Sequence, residues 1–530
     1  MSHASPTPAA TSGSPAVPPT AETNDNKWWT LVAVSLGTFM LLLDITIVNV
    51  ALPKIQDDLH SSFSDLQWVV DAYALTLAAL LLTSGALADM YGRRRLYLVG
   101  LGVFTVASVL CGVAQNSIML ELSRALQGVG GAIMFSVSLA LLAHAFRGKE
   151  RGLAFGVWGA TTGFAVAIGP VLGGALVSGL SWRFIFFVNL PIGIGALALT
   201  LRRVEESRDT SARRPDWWGF VLFTAGLSGL IYALIEAGLT SFGSTRVVVC
   251  FVLAGVLLAG FVIAERYVRH PMFDLSLFRL PTFSGGAIAA FGLSASIFSM
   301  LLYLTLYLQD LLQYSALQTG LRLVIMSGGI LVVATVAGRV SSHVPVRLLI
   351  GPGLLLVGVS LLLMRGLTAT SPWTHLIPGL IVAGIGVGMI NPPLASTAVG
   401  VVQPRRAGMA SGINSTFRQV GIATGIALLG TLFTKRAVRD VTSGLAHTPL
   451  ASRSTALGNA LKSGQSTAYF KQLPPKDIAL ASHVARASFT AGLNEILLVA
   501  AVIALASAVL SFALIRTKDF IQHQPAGGAG

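Results

Sequence analysis

The sequence predicts an all-α polytopic membrane protein of about fourteen transmembrane helices, and three observations predict it. First, 54% of its 530 residues are hydrophobic and only 11% are charged. That is more apolar surface than a water-soluble fold of this size can use, so membrane lipids are its expected solvent. Second, a hydrocarbon core of roughly 30 Å takes about 20 apolar residues per helical crossing, and windows of that length recur from Trp29 to Ile515. They are continuous runs, without the period-two alternation in segments of about ten residues that marks a transmembrane β-barrel. Third, the Lys and Arg residues behind the formal charge of +14 sit in short clusters between the runs rather than on one basic face or tail. That pattern encodes topology and argues against a nucleic-acid partner.

Residues 1–27 are rich in Pro, Ala, Ser and Thr and carry no Lys or Arg before Lys27. They predict a disordered cytoplasmic tail and not a signal peptide. Spans then fall near 29–50, 64–88, 95–114, 117–142, 152–178, 184–201, 217–237, 246–265, 282–308, 316–339, 347–366, 374–400, 407–434 and 491–515. Alternate loops hold most of the basic residues: Arg93 to Arg95, Arg147 to Arg151, Arg202 to Arg214, Arg266 to Arg279, Arg339 to Arg347, and Arg405 with Arg406. By the positive-inside rule these loops are cytoplasmic, which puts both termini and a tail at 517–530 on that side. A loop at 435–490, with Lys435, Arg436, Arg439 and other basic residues, falls outside against the rule, which long loops obey poorly.

Two internal echoes divide the chain. Gly152, Ala154 and Gly156, opening the fifth span, recur 256 positions later as Gly408, Ala410 and Gly412, opening the thirteenth. Gly85 and Gly338, each in the loop after an equivalent span, stand 253 apart. Such repeats predict two six-helix bundles, 28–201 and 282–516, with two inserted helices at 215–266.

Ionisable side chains inside spans cost about 2.5–3.5 kcal/mol each on insertion scales, so each needs a partner, water or a function. The main candidates are Asp44, Asp71, Glu121, Arg124, Glu236 and Arg418. Glu121, Arg124, Gly128 and Gly131 follow i, i+3, i+7 and i+10 beside Gln127, a polar stripe on one inward helical face. Arg keeps its proton, whereas a buried carboxylate is pulled between desolvation and a nearby Arg. Movement of Arg124 relative to Asp44 or Asp71 would therefore make a proton switch; the alternative is a static pair that fixes helix packing. Glu236, near an outer helix end, fits either substrate coupling or structural placement at interfacial water. Asn414 and Arg418 share a stripe with Gly421 and Gly425, which predicts that the fifth and thirteenth spans line the interface between the halves. Gly169 and Pro170, followed by Gly173 and Gly174, predict a bend or hinge, because Pro removes a backbone bond and Gly relaxes the helix around it. In the turn holding Gly85, Asp89, Gly92, Arg93, Arg94 and Arg95, topology needs only the arginines. Asp89 is suited to cap a neighbouring helix N-terminus in one conformation and release it in another.

These residues resemble the fourteen-span drug:proton antiporter family of the major facilitator superfamily, of the QacA and EmrB type. Leu43, Asp44, Thr46, Asn49 and Pro53 resemble its first-helix motif, and Gly85 through Arg95 the superfamily loop motif. Arg124, Gln127, Gly128 and Gly131 resemble the span-4 motif assigned to proton transfer. Gly169, Pro170, Gly173 and Gly174 resemble the antiporter motif of span 5, and Trp182 through Pro191 resembles the branch signature at span 6. The second copy of the loop motif departs, with Ser342 where Asp89 aligns and Pro345 where Gly92 aligns, which puts its gating contribution in doubt. The resemblance implies a major facilitator fold in the bacterial cytoplasmic membrane, with Asp44 as a coupling or cation-recognition residue.

The expected function is therefore proton-coupled antiport, exporting amphipathic or cationic small molecules by alternating access, as in multidrug efflux and antibiotic resistance. The alternative is an exporter or flippase of a lipid or an endogenous natural product; a membrane receptor or enzyme is the remote one. The sequence has no HExxH, GxSxG or P-loop pattern, so neither catalysis nor ATP-driven transport is expected. Only Cys111 and Cys250 are present, each within an apolar run, so no disulfide framework, metal or cofactor is expected. The protein is expected to act as a monomer on protons and one small amphipathic substrate.

Overall fold

The structure, a computed structural model, describes residues 25–61, 63–146, 148–208, 216–268, 273–341, 343–403, 406–462, 469–470 and 472–520. Residues 1–24 of the expected N-terminal tail, 521–530 of the C-terminal one, and Arg147, Ser342 and Arg405 of the basic loops lie outside the described residues. The described chain is a succession of helices. The first half holds α1 (Asp25–Leu59), α2 (Phe63–Tyr91), α3 (Arg93–Gly112), α4 (Ser117–Ala145), α5 (Gly148–Gly179) and α6 (Phe184–Arg203). A hairpin follows, α7 (Trp217–Leu239) and α8 (Thr245–Tyr267). The second half holds α9 (Pro281–Leu311), α10 (Ala316–Val340), α11 (Arg347–Leu363), α12 (Ile377–Gly400), α13 (Ala407–Leu445) and α14 (Pro475–Leu514). Among the described residues thirteen of these are long and apolar enough to cross a membrane, and α11 is an apolar helix of 17 residues.

Helices suit this sequence because each satisfies its own backbone polar groups where no water can, and polar residues close the exposed ends. The Asn116 side chain accepts from Met119 N at 2.8 Å to start α4, and Asp216 accepts from Gly219 N at 2.9 Å to start α7. Ser315 and Gln318 form a reciprocal capping box on α10. Pro170 lies inside an unbroken α5. α9 instead widens to π-helix at Ser294–Phe298 and Tyr307–Leu311.

α1 to α6 pack on one another around their own apolar clusters, and α9 to α14 do the same. The hairpin helices α7 and α8 pair with each other, and α7 leans on both α2 and α13. The bundles meet along two seams, α5 on α10 and α2 on α13. The glycines that echo in sequence touch across them: a Cβ on Gly85 would strike Gly408, and a Cβ on Gly338 would strike Gly152 and Gly156. Each repeat thus supplies the partner of the other, a pseudo-twofold exchange.

Two expectations change. Gly421 and Gly425 do not face the other half; they pack against Phe291, Ala295 and Ser299 of α9 in their own bundle. α13 meets α2 through Gly408 and Gly412, whose neighbours are Gly85, Leu81 and Leu82. The segment 435–490 is also largely helical among its described residues. α13 and α14 run well past the expected spans, with a short helix at Ser454–Lys462 between them. Leu445, Leu457, Leu461, Ala481 and Ala485 extend the apolar core of the second half there, which is why the helices continue.

Candidate functional site

The deepest polar cluster lies inside the first bundle, where α1, α2, α3, α4 and α6 converge. The Asp44 side chain is fully buried and that of Arg124 is 1% exposed; Arg124 Nη1 donates to Asp44 Oδ2 at 2.5 Å. Gln127 and Asn189 each donate to Asp44 Oδ1, at 2.9 and 3.0 Å, and both also donate to Ser108 Oγ. Arg124 further donates to Gln127 Oε1 and to the Val69 carbonyl, and stacks over the Tyr73 ring at 4.2 Å. The i, i+3 spacing of Arg124 and Gln127 aims both at α1, while Gly128 and Gly131 on the same stripe admit Tyr73, Thr76, Leu41 and Leu77. Glu121, at the end of that stripe, is only half-buried.

A buried ion pair survives only when its remaining donors and acceptors are also met. Here the carboxylate receives three side-chain hydrogen bonds, from Arg124, Gln127 and Asn189. Among the described residues two atoms at the margin have no hydrogen-bond partner, Asn189 Oδ1 and the Tyr73 hydroxyl. Sequence reasoning singled out Asp44 and Arg124 but not Ser108 or the role of Asn189, since neutral polar residues in a span carry too small a cost to stand out.

Two residues after Asp44, Thr46 is the side chain that a Cβ on Gly169 would strike, and Ile47 covers Gly173. From the other bundle, Gly320 of α10 approaches Pro170 and Val171, and Leu317 approaches Gly174. The Gly169 to Gly174 segment of α5 is therefore held between the Asp44 turn of α1 and the second half.

At the arginine-rich end, Asp89 bridges the halves. Its carboxylate accepts from the Gly408 and Met409 backbone N–H groups at 3.0 and 2.9 Å, and from Arg93 at 2.7 Å. It thus caps the positive end of α13. Gly92, at φ 112°, turns the chain out of α2. Glu206 fills the space beside it, where its two carboxylate oxygens accept from the backbone N–H groups of Arg94 and Arg95. The Arg94 guanidinium donates to the Thr200 and Leu201 carbonyls that end α6. Nearby, Arg406 pairs with Asp274. Partial burial opposes ionisation of Asp274, but the Ser276 hydroxyl and N–H and the Arg406 guanidinium outweigh it. They hold the carboxyl below its ordinary pKa.

The remaining predicted residues are dispersed. Asp71 is partly exposed on α2 and makes no hydrogen bond or ion pair among the described residues, so it does not join Asp44 and Arg124. Glu236 pairs at 3.5 Å with the exposed Arg246 between α7 and α8. Arg418 donates to Asn391 Oδ1 of α12 at 3.2 Å and leaves its Nε unpartnered. Asn414 is buried one turn before it. The described residues hold no group of three or more His, Cys, Asp or Glu side chains that could bind a metal ion.

The comparisons with known proteins agree with this architecture. Over 410 residues the chain is 38% identical to the multidrug resistance protein Stp of Mycobacterium tuberculosis, covering 77% of this chain and 76% of that protein. It is 32% identical over 499 residues to the tetracenomycin C resistance and export protein of Streptomyces glaucescens, covering 93% and 92%. Among solved structures, the human organic anion transporter MFSD10 aligns with a TM-score of 0.63 at 14% identity over 92% of this chain and 99% of that one, a likeness of fold. A family model described as Major Facilitator Superfamily matches residues 34–426. The chain belongs to the Major Facilitator Superfamily.

Proposed function

We propose that this protein is a proton-coupled antiporter that exports amphipathic or cationic small molecules from the bacterial cytoplasm by alternating access. The observation that carries the reading is the position of Asp44. It is a fully buried carboxylate held by Arg124, Gln127 and Asn189, one turn from the point where α1 grips the Gly169 segment of α5. Protonation of Asp44 removes the charge that holds Arg124. The release passes through Thr46 and Ile47 to α5, which touches the second half through Gly320 and Leu317. In this reading the arginine-rich end is cytoplasmic and Asp89 latches that end shut. The two bundles rock on the glycine seams, and both termini lie inside.

Asp71 and Arg418 then serve as charges available to substrate or proton when the halves separate, and Glu236 anchors the outer end of the hairpin. Names of relatives support a drug-like cargo, since they include the Stp and tetracenomycin C proteins above. A natural-product exporter is the second reading, favoured by the latter. The test is ethidium efflux from cells carrying the protein, with and without a protonophore. Efflux that stops when the gradient collapses supports the proposal; efflux that continues on ATP alone overturns it.

A further inference from the structure

Arg124 and Arg418 both lie inside apolar spans, yet only the first has a counter-charge. Arg124 donates to the Asp44 carboxylate, to Gln127 Oε1 and to the Val69 carbonyl, and lies over the Tyr73 ring. Arg418 donates from Nη2 to the neutral Asn391 side chain and pairs with no carboxylate among the described residues; its Nε is buried without a partner. Less than one turn earlier the Ser415 hydroxyl, in a residue 1% exposed, is also unpartnered. An arginine keeps its charge at ordinary pH, and a buried charge without a partner is costly. No described side chain supplies the counter-charge of Arg418, so an anion from outside the chain is the group that relieves that cost. Arg151 and Arg322 also leave Nε unmet, but they lie in the first two turns of their helices, over aromatic rings and within reach of interfacial water.

The position of Arg418 says where that anion comes from. Ser411, Arg418 and Gly425 recur at i, i+7 and i+14 and share one face of α13. Ser411 donates to the Ser136 carbonyl of α4, so at that level the face touches the first half. Gly425 packs on Ala295 and Ser299 of α9, so farther out the face has turned to its own half. Arg418 stands between the two contacts and is partly exposed. Its partner Asn391 of α12 lies in turn against Gly159 of α5. Arg418 is therefore at the boundary of the halves, two turns from the closed contact at Ser411. That is the level at which rocking of the halves exposes a cargo to each side in turn.

We propose that Arg418 selects the charge of the cargo: the site between the halves takes amphipathic molecules bearing a carboxylate, sulfonate or phenolate in preference to cations of the same shape. The guanidinium presents its unused N–H groups to the anionic oxygens in a forked grip, and the Ser415 hydroxyl is a further donor in the same turn. An anionic cargo also suits exchange against protons. With the cytoplasm negative, the membrane potential draws protons in and drives an anion out, whereas it cancels when one proton is exchanged for one monocation. A cation such as ethidium is then the weaker cargo, not an excluded one. The assignment rests on the export reading for the direction of movement, but the charge preference of binding does not.

The test uses fluorescein and rhodamine 123, which share a tricyclic ring system and carry opposite charge, with binding to the detergent-purified full chain read by fluorescence anisotropy. Wild type is expected to bind fluorescein more tightly than rhodamine 123. Arg418→Gln is expected to weaken fluorescein about tenfold and to strengthen rhodamine 123, reversing the preference. Arg418→Lys, which keeps the charge but not the fork, is expected to hold fluorescein within about threefold of wild type. Tighter binding of rhodamine 123 by wild type overturns the proposal, and that comparison needs no variant to fold. Unchanged fluorescein affinity in Arg418→Gln overturns it as well. So does equal weakening of both dyes in Arg418→Gln and Arg418→Lys, which would make Arg418 a packing residue. Efflux of both dyes from cells, with and without a protonophore, separates the two claims. Gradient-driven efflux with no dependence on Arg418 removes this assignment alone, and Arg418-dependent binding without gradient-driven efflux removes the export reading alone.

Discussion

Asp44 and Arg124 are worth more as a pair than either is alone. Removing one partner of a buried pair leaves the other charge uncompensated, at about 3–5 kcal/mol, whereas removing both is often nearly neutral. Arg124→Gln is therefore expected to lower the Tm of the purified protein strongly, and adding Asp44→Asn in the same chain is expected to restore more than half of the loss. Additive losses in that double variant would mean that the two residues do not act as a unit. A different residue-scale effect belongs to Gly92, whose φ of 112° an L-residue rarely adopts and whose missing Cβ makes room for Glu206. Gly92→Ala is expected to cost about 1–3 kcal/mol from the positive-φ backbone alone, read as a lower Tm. Both acidic and basic members of the central pair were legible in the sequence, because a charge in a span announces itself by its cost. The part Asn189 plays in holding Asp44, and Glu206 altogether, were not: one is neutral, and the other sits in a loop, bound to backbone more than 100 positions away.

Helices and their ends show what patterning can and cannot give. Apolar runs located the spans, and the echoed glycines mark close approach, since Gly152 and Gly156 of α5 lie on Gly338 of α10. Periodicity did not show which side of α13 faces which neighbour, nor that α13 and α14 continue beyond the apolar runs. Those outer turns are amphipathic and stabilised by Leu445, Leu461 and Ala485 packing on one another's helices. At the other end, the Asp89 cap on α13 combines charge with two backbone hydrogen bonds, and helix-terminus charges are worth about 0.3–2 kcal/mol. Asp89→Asn is expected to shift the resting population toward the open arginine-rich end by about 2- to 30-fold. Spin labels at Tyr91 and Arg347, both exposed on opposite halves, would report it as a longer distance; an unchanged distribution would remove Asp89 from the latch. The Asp274–Arg406 link adds a pH-dependent component. A carboxylate whose pKa is lowered on folding stabilises the fold above its unfolded pKa of about 3.9, and that contribution fades as pH falls through the folded value. Solvent screening limits it to about 0.2–1 kcal/mol. Arg406→Gln is expected to reduce Tm more at pH 7 than at a pH below the folded value, where Asp274 is protonated in both states, and an equal reduction at both would assign the effect to packing.

Across the whole molecule, two bundles of six helices meet on two glycine-lined seams, one of them covered by the α7–α8 hairpin. The repeat read from Gly85, Gly152, Gly338 and Gly408 gave the division into halves, because those glycines are needed wherever one backbone lies on another. The asymmetry was less visible. Asp89 caps one seam, while the second copy of the motif has the uncharged Ser342 at the aligned sequence position, and the hairpin shields only the seam with the cap. Proton entry at a potential of 100 mV supplies about 2.3 kcal/mol per charge, roughly a fiftyfold gradient of a neutral substrate, so one coupled carboxylate suffices for useful export. The most direct test reconstitutes the protein in liposomes with an internal pH dye, imposes a proton gradient, adds ethidium, and compares wild type with Asp44→Asn. The account predicts ethidium-dependent proton movement in wild type and none in the variant. Coupling that survives in Asp44→Asn would contradict it and leave Asp44 as a packing residue.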